Sequence, residues 1–220
     1  MDLLEGIETR KSHRAFKSTP IPRETIERIL SAARKSPSYT NTQPWEVAVV
    51  CGSKKDGLSK ILYDMAKSHV PAVPDVSFPK SWPEEMAKRA KEHGSRRLEF
   101  IGVKLDDAQR REEIRLENYQ FYGAPCILFL FMERELTNWS IFDMGLFTQS
   151  IVLAAHALGL GSCIQASITG YPDAIRKFLE IPSSKLLMLG ISIGYPEMEA
   201  RINSYQSSRA DMNQLVTWYS

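Results

Sequence analysis

Two arginines four positions apart enclose a short polar segment near the start of the chain, Arg10-Lys11-Ser12-His13-Arg14. Guanidinium groups form paired hydrogen bonds with phosphate oxygens, and such charge-assisted bonds are about twice as strong as bonds between neutral groups. If the preceding helix continued through the segment, Arg10 and Arg14 would lie on the same helical face. Two guanidinium groups and a hydroxyl group would therefore suit a phosphate monoester. A solvated helix terminus is the alternative that the segment alone leaves open.

A second polar segment is the loop Pro37-Ser38-Tyr39-Thr40-Asn41-Thr42-Gln43-Pro44-Trp45, in which six hydrogen-bonding side chains stand between two prolines. Neutral donors and acceptors of this kind can bind the polar edge of a planar heterocycle, or a polyol, without adding charge. An ordinary surface loop fits the same composition. A third polar segment, Ser204 to Arg209, offers another cation and further hydroxyl groups, or is a plain C-terminal tail.

Hydrophobic periodicity indicates the elements that must hold these segments in place. Helical spacing of apolar residues predicts helices over 2–9, 23–35, 54–67, 142–158 and 172–179, with a helix-like ending over 215–218. Apolar runs predict strands over 45–50, 126–132, 161–166 and 186–193. The run 126–132 is apolar throughout, as in a central strand, and the helix over 142–158 must be buried on most of its circumference. This order predicts an α+β fold with one sheet and helices packed on it.

The stretch from residue 70 to residue 120 interrupts this pattern. Prolines at positions 71, 74, 79 and 83 predict an irregular loop, which a highly charged segment follows. Residues 80–120 contain ten Lys/Arg and nine Asp/Glu, so their charges nearly cancel, as on the solvated faces of two helices. We therefore interpret 70–120 as a helical cap inserted into a single domain that spans 1–220.

Composition and charge exclude several classes of protein. The chain has 220 residues, 43% of them hydrophobic, with 28 basic and 26 acidic side chains. The apolar fraction excludes disorder, and the net charge of +2 argues against a nucleic-acid-binding protein. The acidic N-terminal segment does not resemble a signal peptide, and no segment predicts a membrane span. The three cysteines each lie in an apolar run, so they are expected to be buried free thiols, as in a cytoplasmic protein.

Five stretches of the sequence share the pattern of one enzyme family. They are RKSHR (10–14), PSYTNTQPW (37–45), Gly123-Ala124-Pro125, ALGLGSCIQA (157–166) and SSR (207–209). Together they resemble the nitroreductase family of FMN-dependent oxidoreductases, and the resemblance covers nearly the whole chain. The proline-rich start of the cap around Trp82 and the segment 118–125 resemble the nitrobenzoate-reductase-like branch of that family.

The resemblance implies a fold, a cofactor and an assembly. The fold would be a central, mostly antiparallel β-sheet flanked by helices, with the cap inserted over the active site. FMN would lie at the interface of a homodimer, and NADH or NADPH would be the electron donor. No dinucleotide-binding GxGxxG fingerprint is present, so the nicotinamide would visit the flavin face transiently.

The resemblance also implies a set of cofactor-binding residues. Arg10, Lys11 and Ser12 would hold the phosphate and ribityl end together with Ser207 and Arg209, and Arg14 would reach the pyrimidine edge of the flavin. A cation at that edge would favour the reduced, more negative flavin. Further contacts would come from the loop of a partner subunit and from backbone groups near flavin N5: Pro37, Ser38, Tyr39, Asn41 and Gln43 in the loop, and Ile164, Gln165 and Ala166 near N5. Many relatives have an acidic residue and a glycine where this chain has Ala166-Ser167.

The implied activity is a ping-pong reduction in which hydride passes through flavin N5 to a small aromatic acceptor, a nitro compound or a quinone. Trp82, Tyr119 and Phe121 would form aromatic walls for the acceptor, and Arg96 or Arg97 could bind an anionic substituent. No protein nucleophile and no metal site is expected. Two alternatives stay open at this point. One is a reductive dehalogenase of the iodotyrosine type, and the other is a flavin carrier or sensor without turnover.

Overall fold

The computed structural model describes residues 2–219 and contains the helices and strands that the sequence predicts. The helices are Leu3–Thr9 (α1), Arg23–Ala33 (α2), Gly52–Lys67 (α3), Glu84–Phe100 (α4), Ala108–Glu117 (α5), Asn138–Ala157 (α6), Pro172–Leu179 (α7), Arg201–Ser204 (α8) and Met212–Leu215 (α9). The strands are Glu46–Cys51 (β1), Cys126–Glu133 (β2), Gly161–Gln165 (β3) and Lys185–Gly194 (β4). Short 3-10 turns at Tyr39–Asn41 and Asn118–Gly123 lie beside these elements.

The four strands form one antiparallel sheet in the order β1-β2-β4-β3. Strand β2 is an inner strand, and all of its residues except the last are buried. The expectation of an α+β fold with a mostly antiparallel central sheet is therefore confirmed. No helix between residues 2 and 219 has the length and apolarity that crossing a bilayer requires.

Both faces of the sheet carry a hydrophobic core, because neighbouring residues of a strand point to opposite faces. Leu128 and Leu130 belong to a core with residues of α2 and α6. Ile127 and Phe129 belong to a second core on the other face, with residues of α3, α7 and the turn at Asn118–Gly123. This arrangement explains why β2 reads as an uninterrupted apolar run instead of an alternating one.

Helix α6 is longer than predicted, and most of its added first turn is exposed. It begins at Asn138, four residues before the predicted start, because the polar residues of its first turn hide the apolar pattern. Most of the predicted range 142–158 is buried or half-buried, as expected, but Phe142 is 62% exposed, and Trp139 and Ile141 of the added first turn are exposed as well. One side of this helix is therefore an apolar surface of the single chain.

Two smaller predictions are also wrong. The expected helix-like ending over 215–218 is instead the single turn of α9, and Val216 is extended, as suits a β-branched residue. Cys126 and Cys163 are buried free thiols as expected, whereas Cys51 is exposed. Cys51 ends an edge strand of the sheet, so its side chain lies at a corner of the molecule.

The stretch expected to form a cap contains two helices after an irregular loop. Helix α4 has no buried residue, so it stands on the surface over most of its length. Helix α5 is attached to the body through the buried Leu116. The loop before α4 is anchored as well, because the Val73 amide donates to the Gly170 carbonyl at 2.8 Å.

Asp75 provides the main polar anchor of that loop. Its carboxylate accepts hydrogen bonds from the guanidinium of Arg176, from that of Arg134 at 3.0 Å and from the backbone amide of Leu187 at 2.8 Å. Burial alone would raise the pKa of Asp75, but these hydrogen bonds outweigh it and the pKa lies below its ordinary value. The carboxylate thereby ties the loop to α7 and β4.

Replacing Asp75 by asparagine is expected to lower the free energy of unfolding by about 2 kcal/mol, since hydrogen bonds to charged groups contribute about 1.5–3 kcal/mol. A depressed carboxyl pKa stabilises the fold above the unfolded pKa, and this contribution disappears as the pH falls through the folded value. Urea denaturation of both proteins should therefore show a difference near pH 7 that shrinks below pH 4. A difference independent of pH would contradict the ionic account. Asp211→Asn, at an exposed position of the tail, is the matched control.

Candidate active site

The segment 10–16 is extended, so α1 does not continue through it and ends where the predicted helix over 2–9 ends. Helix α1 ends at Thr9, and Arg10 has φ −59° and ψ 129°. Ser12 forms a parallel bridge with Ser162 of β3, and the His13 amide donates to the Ser162 carbonyl at 2.9 Å. Because side chains of an extended chain alternate, Arg10, Ser12 and Arg14 still share one side.

His13 is the residue of this segment that points the other way. Its side chain is 6% exposed and packs on Gly161, where an added Cβ would lie 2.9 Å from the imidazole ring. Burial, followed by the nearby Lys11, lowers the pKa of His13 to about 4. His13 is therefore neutral at physiological pH and serves as the buried anchor of the polar segment.

Asn203 fixes the backbone of the segment from the other end. Its side chain is 2% exposed and accepts a hydrogen bond from the Arg14 amide at 2.7 Å. Its amide group donates to the carbonyls of Ala15 at 2.7 Å and Glu197 at 2.8 Å. A single buried side chain thus holds two stretches of backbone together. Sequence reasoning missed it, since one asparagine in a C-terminal segment carries no signal.

Arg10, Ser12 and Arg14 open into a cavity of about 330 Å³. The cavity brings together both ends of the chain and is lined by Ile7, Glu8, Thr9, Arg10, Lys11, Ser12, Arg14, His93, Tyr205, Gln206, Ser207 and Arg209. The Arg209 guanidinium donates to the Ser207 hydroxyl at 2.6 Å. The structure therefore brings the N-terminal and C-terminal residues of the predicted phosphate site into one place.

The arginines of this cavity have no salt-bridge partner within the part of the chain that the structure describes, although Glu8 also lines the cavity. Arg10, Arg14 and Arg209 form no salt bridge with a carboxylate of residues 2–219. Burial and then the neighbouring Arg209 lower the pKa of Arg10. Because like charges that are partly removed from water repel one another, the cluster favours an anionic ligand.

A second cavity, of about 680 Å³, shares Arg14 with the first and extends under α4 and α5. The Nε atom of Arg14 is buried and has no hydrogen-bond partner among residues 2–219. Arg97 and Tyr122 line the same cavity. Burial and then Arg14 lower the pKa of Arg97, and burial raises the pKa of Tyr122 to about 12, so the phenol is neutral. An elongated polar and aromatic ligand can thus extend from the first cavity past Arg14.

The residues expected near flavin N5 lie at the end of β3. Ile164 is 41% exposed, and Ala166 is exposed. The side chain of Gln165 is buried, donates to the Asn118 carbonyl at 2.8 Å and accepts from the Ser192 hydroxyl. The Gln165 side chain is therefore already engaged, and a contact with the flavin would have to come from the backbone, as the resemblance implies.

The loop 37–45 lies away from the phosphate cavity of the same chain. The Tyr39 amide donates to the Asp143 carboxylate at 3.1 Å, in the first half of α6. The phosphate cavity lies beside the other end of α6, where the Thr9 hydroxyl and His156 are 2.8 Å apart. Thirteen residues of helix separate Asp143 from His156, which is about 20 Å. The loop and the arginine segment therefore cannot bind one small ligand within a single chain.

The backbone of the loop nevertheless has an uncommon conformation. Thr40, Asn41 and Gln43 all have positive φ, of 48°, 61° and 52°. Non-glycine residues in this conformation are uncommon and cluster at functional sites. The Ser38 hydroxyl accepts from the Gln43 amide at 3.0 Å and holds the turn closed, and the side chains of Pro37, Tyr39, Asn41 and Gln43 are exposed.

The aromatic residues expected to contact the acceptor divide into two groups. Trp82 is 53% exposed in the loop before α4 and lines neither cavity. Tyr119 and Phe121 do not reach either cavity, because they are 6% and 0% exposed and belong to the core beneath the sheet. They pack the segment after α5 onto the body. The ring of this segment that lines the cleft is that of Tyr122.

Fold and site together define an α+β protein with a cation-lined cleft suited to an elongated organic phosphate. Comparison with known families makes this class specific, because a model of the Nitroreductase family matches residues 7–195. The chain therefore belongs to the nitroreductase family.

Its relatives include enzymes named for the reduction of nitro compounds. The chain is 33% identical to nitroreductase NfnB of Mycolicibacterium smegmatis over 94% of this chain and 88% of that protein. It is 35% identical to 4-nitrobenzoate reductase of Pseudomonas putida over 92% of this chain and 89% of that protein.

Solved structures agree with these relatives. The crystal structure of FMN-dependent nitroreductase NfnB from Mycobacterium smegmatis with NADPH superposes with a TM-score of 0.94 at 29% identity, over 99% of this chain and 97% of that one. The FMN- and NADPH-dependent NfnB of a Sphigopyxis strain gives a TM-score of 0.97 at 27% identity, with complete coverage of both chains. The nitroreductase fold expected from the sequence is thus confirmed.

Proposed function

We propose that the chain is an FMN-dependent oxidoreductase that uses NADPH or NADH to reduce nitroaromatic or quinone-like acceptors. The observation that carries the proposal is the group of arginines that form no salt bridge among residues 2–219 and that both ends of the chain contribute to one cleft. The NfnB proteins named above support both the cofactor and the donor. When bound, FMN supplies the hydride chemistry, which no side chain of this cleft provides.

The residues of the cleft have separate tasks in this proposal. Arg10 and Arg209 neutralise the phosphate, while Ser12 and Ser207 donate hydroxyl hydrogen bonds to it or to the ribityl chain. Arg14, with its orphaned Nε, binds the pyrimidine edge of the flavin. The backbone at the end of β3 and the exposed side of the cap, including Trp82, border the place where donor and acceptor alternate. Helices α4 and α5 would then shield this place from water.

The decisive experiment measures nicotinamide oxidation by the FMN-reconstituted protein. Oxidation of NADPH or NADH should accelerate when 4-nitrobenzoate or a quinone is added. Oxidation that no acceptor accelerates would contradict the proposal and favour a flavin carrier. Iodide release from an iodotyrosine in preference to any nitro compound would favour the dehalogenase alternative, for which the relatives described above give no support.

We also propose that the active unit is a homodimer. Exposed apolar side chains on α6 and α1 support this assembly, because Leu3 and Leu4 of α1 are 70% and 66% exposed and Phe142 of α6 is 62% exposed. A two-fold dimer would place the loop 37–45 of one subunit against the arginine segment of its partner, which a single chain cannot do. The nicotinamide donor and the free thiols favour a cytoplasmic location.

Phe142→Glu is expected to convert the dimer into single chains of 25.0 kDa, because a carboxylate would be buried in an apolar interface. Sedimentation equilibrium measures the mass, and FMN affinity should fall with it. Val73→Glu is the matched control, since Val73 is an exposed apolar residue of the loop before α4. A dimer of unchanged stability in Phe142→Glu would contradict the proposed interface.

Arg97 is proposed to bind an anionic substituent of the acceptor. The structure distinguishes it from its neighbour, since Arg96 is exposed and lies 3.7 Å from Glu92, whereas Arg97 lines the cleft beside Arg14. Charged hydrogen bonds contribute about 1.5–3 kcal/mol, so Arg97→Ala should raise the KM for 4-nitrobenzoate by about 10-fold to 100-fold. The KM for neutral 4-nitrobenzamide should change much less. Arg96→Ala is the control, and equal effects on both substrates would contradict the assignment.

A further inference from the structure

Cys51 and Cys126 face each other across the β1–β2 pair. They are the last residue of β1 and the first of β2, and the antiparallel register pairs them directly. Facing residues of an antiparallel pair have Cα atoms about 4.5–5.5 Å apart with side chains on the same face. Disulfides need Cα separations of about 4.4–6.8 Å, so this register can accommodate one without rearranging the strands.

The two thiols have different environments. Cys51 is exposed and occupies the N-cap position of the 16-residue helix α3, where the free amide groups favour negative charge. The Cys126 thiol, and more weakly Lys55, outweigh burial and lower the pKa of Cys51. Cys126 is buried, and its interaction with Cys51 raises its pKa. Cys51 thus has the features of an attacking thiolate and Cys126 those of a resolving thiol.

The position of the pair in the chain gives it a structural consequence. The polypeptide leaves the sheet at Cys51 and returns to it at Cys126. The residues between them, including α3 and the cap helices α4 and α5, form one long segment outside the sheet. A disulfide between Cys51 and Cys126 would join the two ends of this segment covalently.

We propose that Cys51 and Cys126 are a redox-sensitive pair that forms a reversible disulfide with a low-molecular-weight disulfide such as oxidised glutathione. The Cys51 thiolate attacks one sulfur of the small disulfide and releases one thiolate, which leaves a mixed disulfide on Cys51. The Cys126 thiol loses its proton and attacks the Cys51 sulfur, which releases the second small thiolate. Two protein S–H bonds are replaced by one S–S bond, and the small disulfide is reduced to two thiols.

The test uses the full-length protein, incubated with oxidised glutathione and then analysed without reductant. The intact mass should fall by two hydrogen atoms, the number of titratable thiols in denaturant should fall from three to one, and peptide mapping should join Cys51 to Cys126. Since long closed loops gain most from a cross-link, the thermal midpoint should rise by about 10 °C and return after dithiothreitol treatment. Cys51→Ser should show neither the mass change nor the rise.

Cys163→Ser provides the matched control, because Cys163 lies on β3 at the opposite edge of the sheet and should not influence the cross-link. Three outcomes would overturn the proposal. They are three free thiols after incubation, glutathione that stays attached to Cys51, and a disulfide that includes Cys163. Each of them is read by mass spectrometry and is independent of flavin content and of reductase activity.

Discussion

Purified Arg10→Ala is expected to be nearly colourless. Arg10 is half-buried in the phosphate cavity and has no carboxylate partner there, so its charge is available only to the ligand. The loss of a charge-assisted bond to a doubly charged phosphate should cost about 3 kcal/mol, or about a 100-fold increase in the Kd for FMN. The flavin-to-protein ratio and fluorescence titration of the apoprotein measure this change.

Arg209→Ala should produce the same effect in weaker form, because Arg209 is exposed and its guanidinium is already bound to Ser207. Arg23→Ala is the matched control, since Arg23 pairs with Glu27 on the surface of α2 at 2.7 Å. Full flavin content in Arg10→Ala and Arg209→Ala alike would place the phosphate elsewhere and refute the site.

Arg10→Ala also tests whether each FMN site is formed by residues of both subunits. A chain with Arg10→Ala keeps an intact loop 37–45, and a chain with Asn41→Ala keeps an intact arginine segment. A mixed dimer of the two contains one site with both native segments, so mixing the subunits should restore part of the FMN binding. Absence of any recovery, although mixed dimers form, would mean that each site uses one chain only.

The chemistry of the site could be predicted from the sequence better than its geometry. Arginine, serine and lysine between positions 10 and 14 suit a phosphate, and the resemblance of the whole chain to one family turns this possibility into a prediction. Whether the segment is helical depends on its pairing with Ser162, a residue 150 positions away in the chain. Local periodicity carries no information about such long-range pairing.

The aromatic residues before β2 illustrate a second limit. Tyr119, Phe121 and Tyr122 are close in sequence and similar in type, yet the first two are buried and only Tyr122 lines the cleft. The difference arises because Phe121 and Tyr122 both have positive φ, of 53° and 54°, which turns the backbone sharply before Gly123. A sequence pattern based on regular helix or strand periods cannot anticipate this turn.

The exposed side of α6 shows a third limit of prediction from sequence. Burial of an apolar helix can come from the same chain or from a second copy, and hydrophobicity does not distinguish them. Most of residues 142–158 are buried or half-buried within the single chain, as predicted, and the exposure of Phe142 is the main exception. This exposure agrees with the proposed dimer, in which Phe142 and its neighbours would be covered by the partner subunit.

Asn203→Ala is expected to have the largest effect on stability. The substitution removes the partner of the Arg14 amide and of the Ala15 and Glu197 carbonyls at a site that is 2% exposed. Each buried backbone group left unpaired costs about 1–3 kcal/mol, so the free energy of unfolding should fall by about 4 kcal/mol. Chemical denaturation of the apoprotein measures this loss, with the exposed Asn213→Ala as control.

The FMN affinity of Asn203→Ala shows whether Asn203 positions Arg14 for the cofactor or only stabilises the fold. Because Asn203 holds the backbone that presents Arg14, the folded fraction of Asn203→Ala should bind FMN about 10-fold more weakly, as expected when a charged group is displaced from its ligand. Asn203→Asp keeps an acceptor for the Arg14 amide but loses both donated bonds, so its FMN affinity should lie between those of the wild type and the alanine variant. Destabilisation of Asn203→Ala with unchanged FMN affinity would show that the two segments are held together without any consequence for the cofactor.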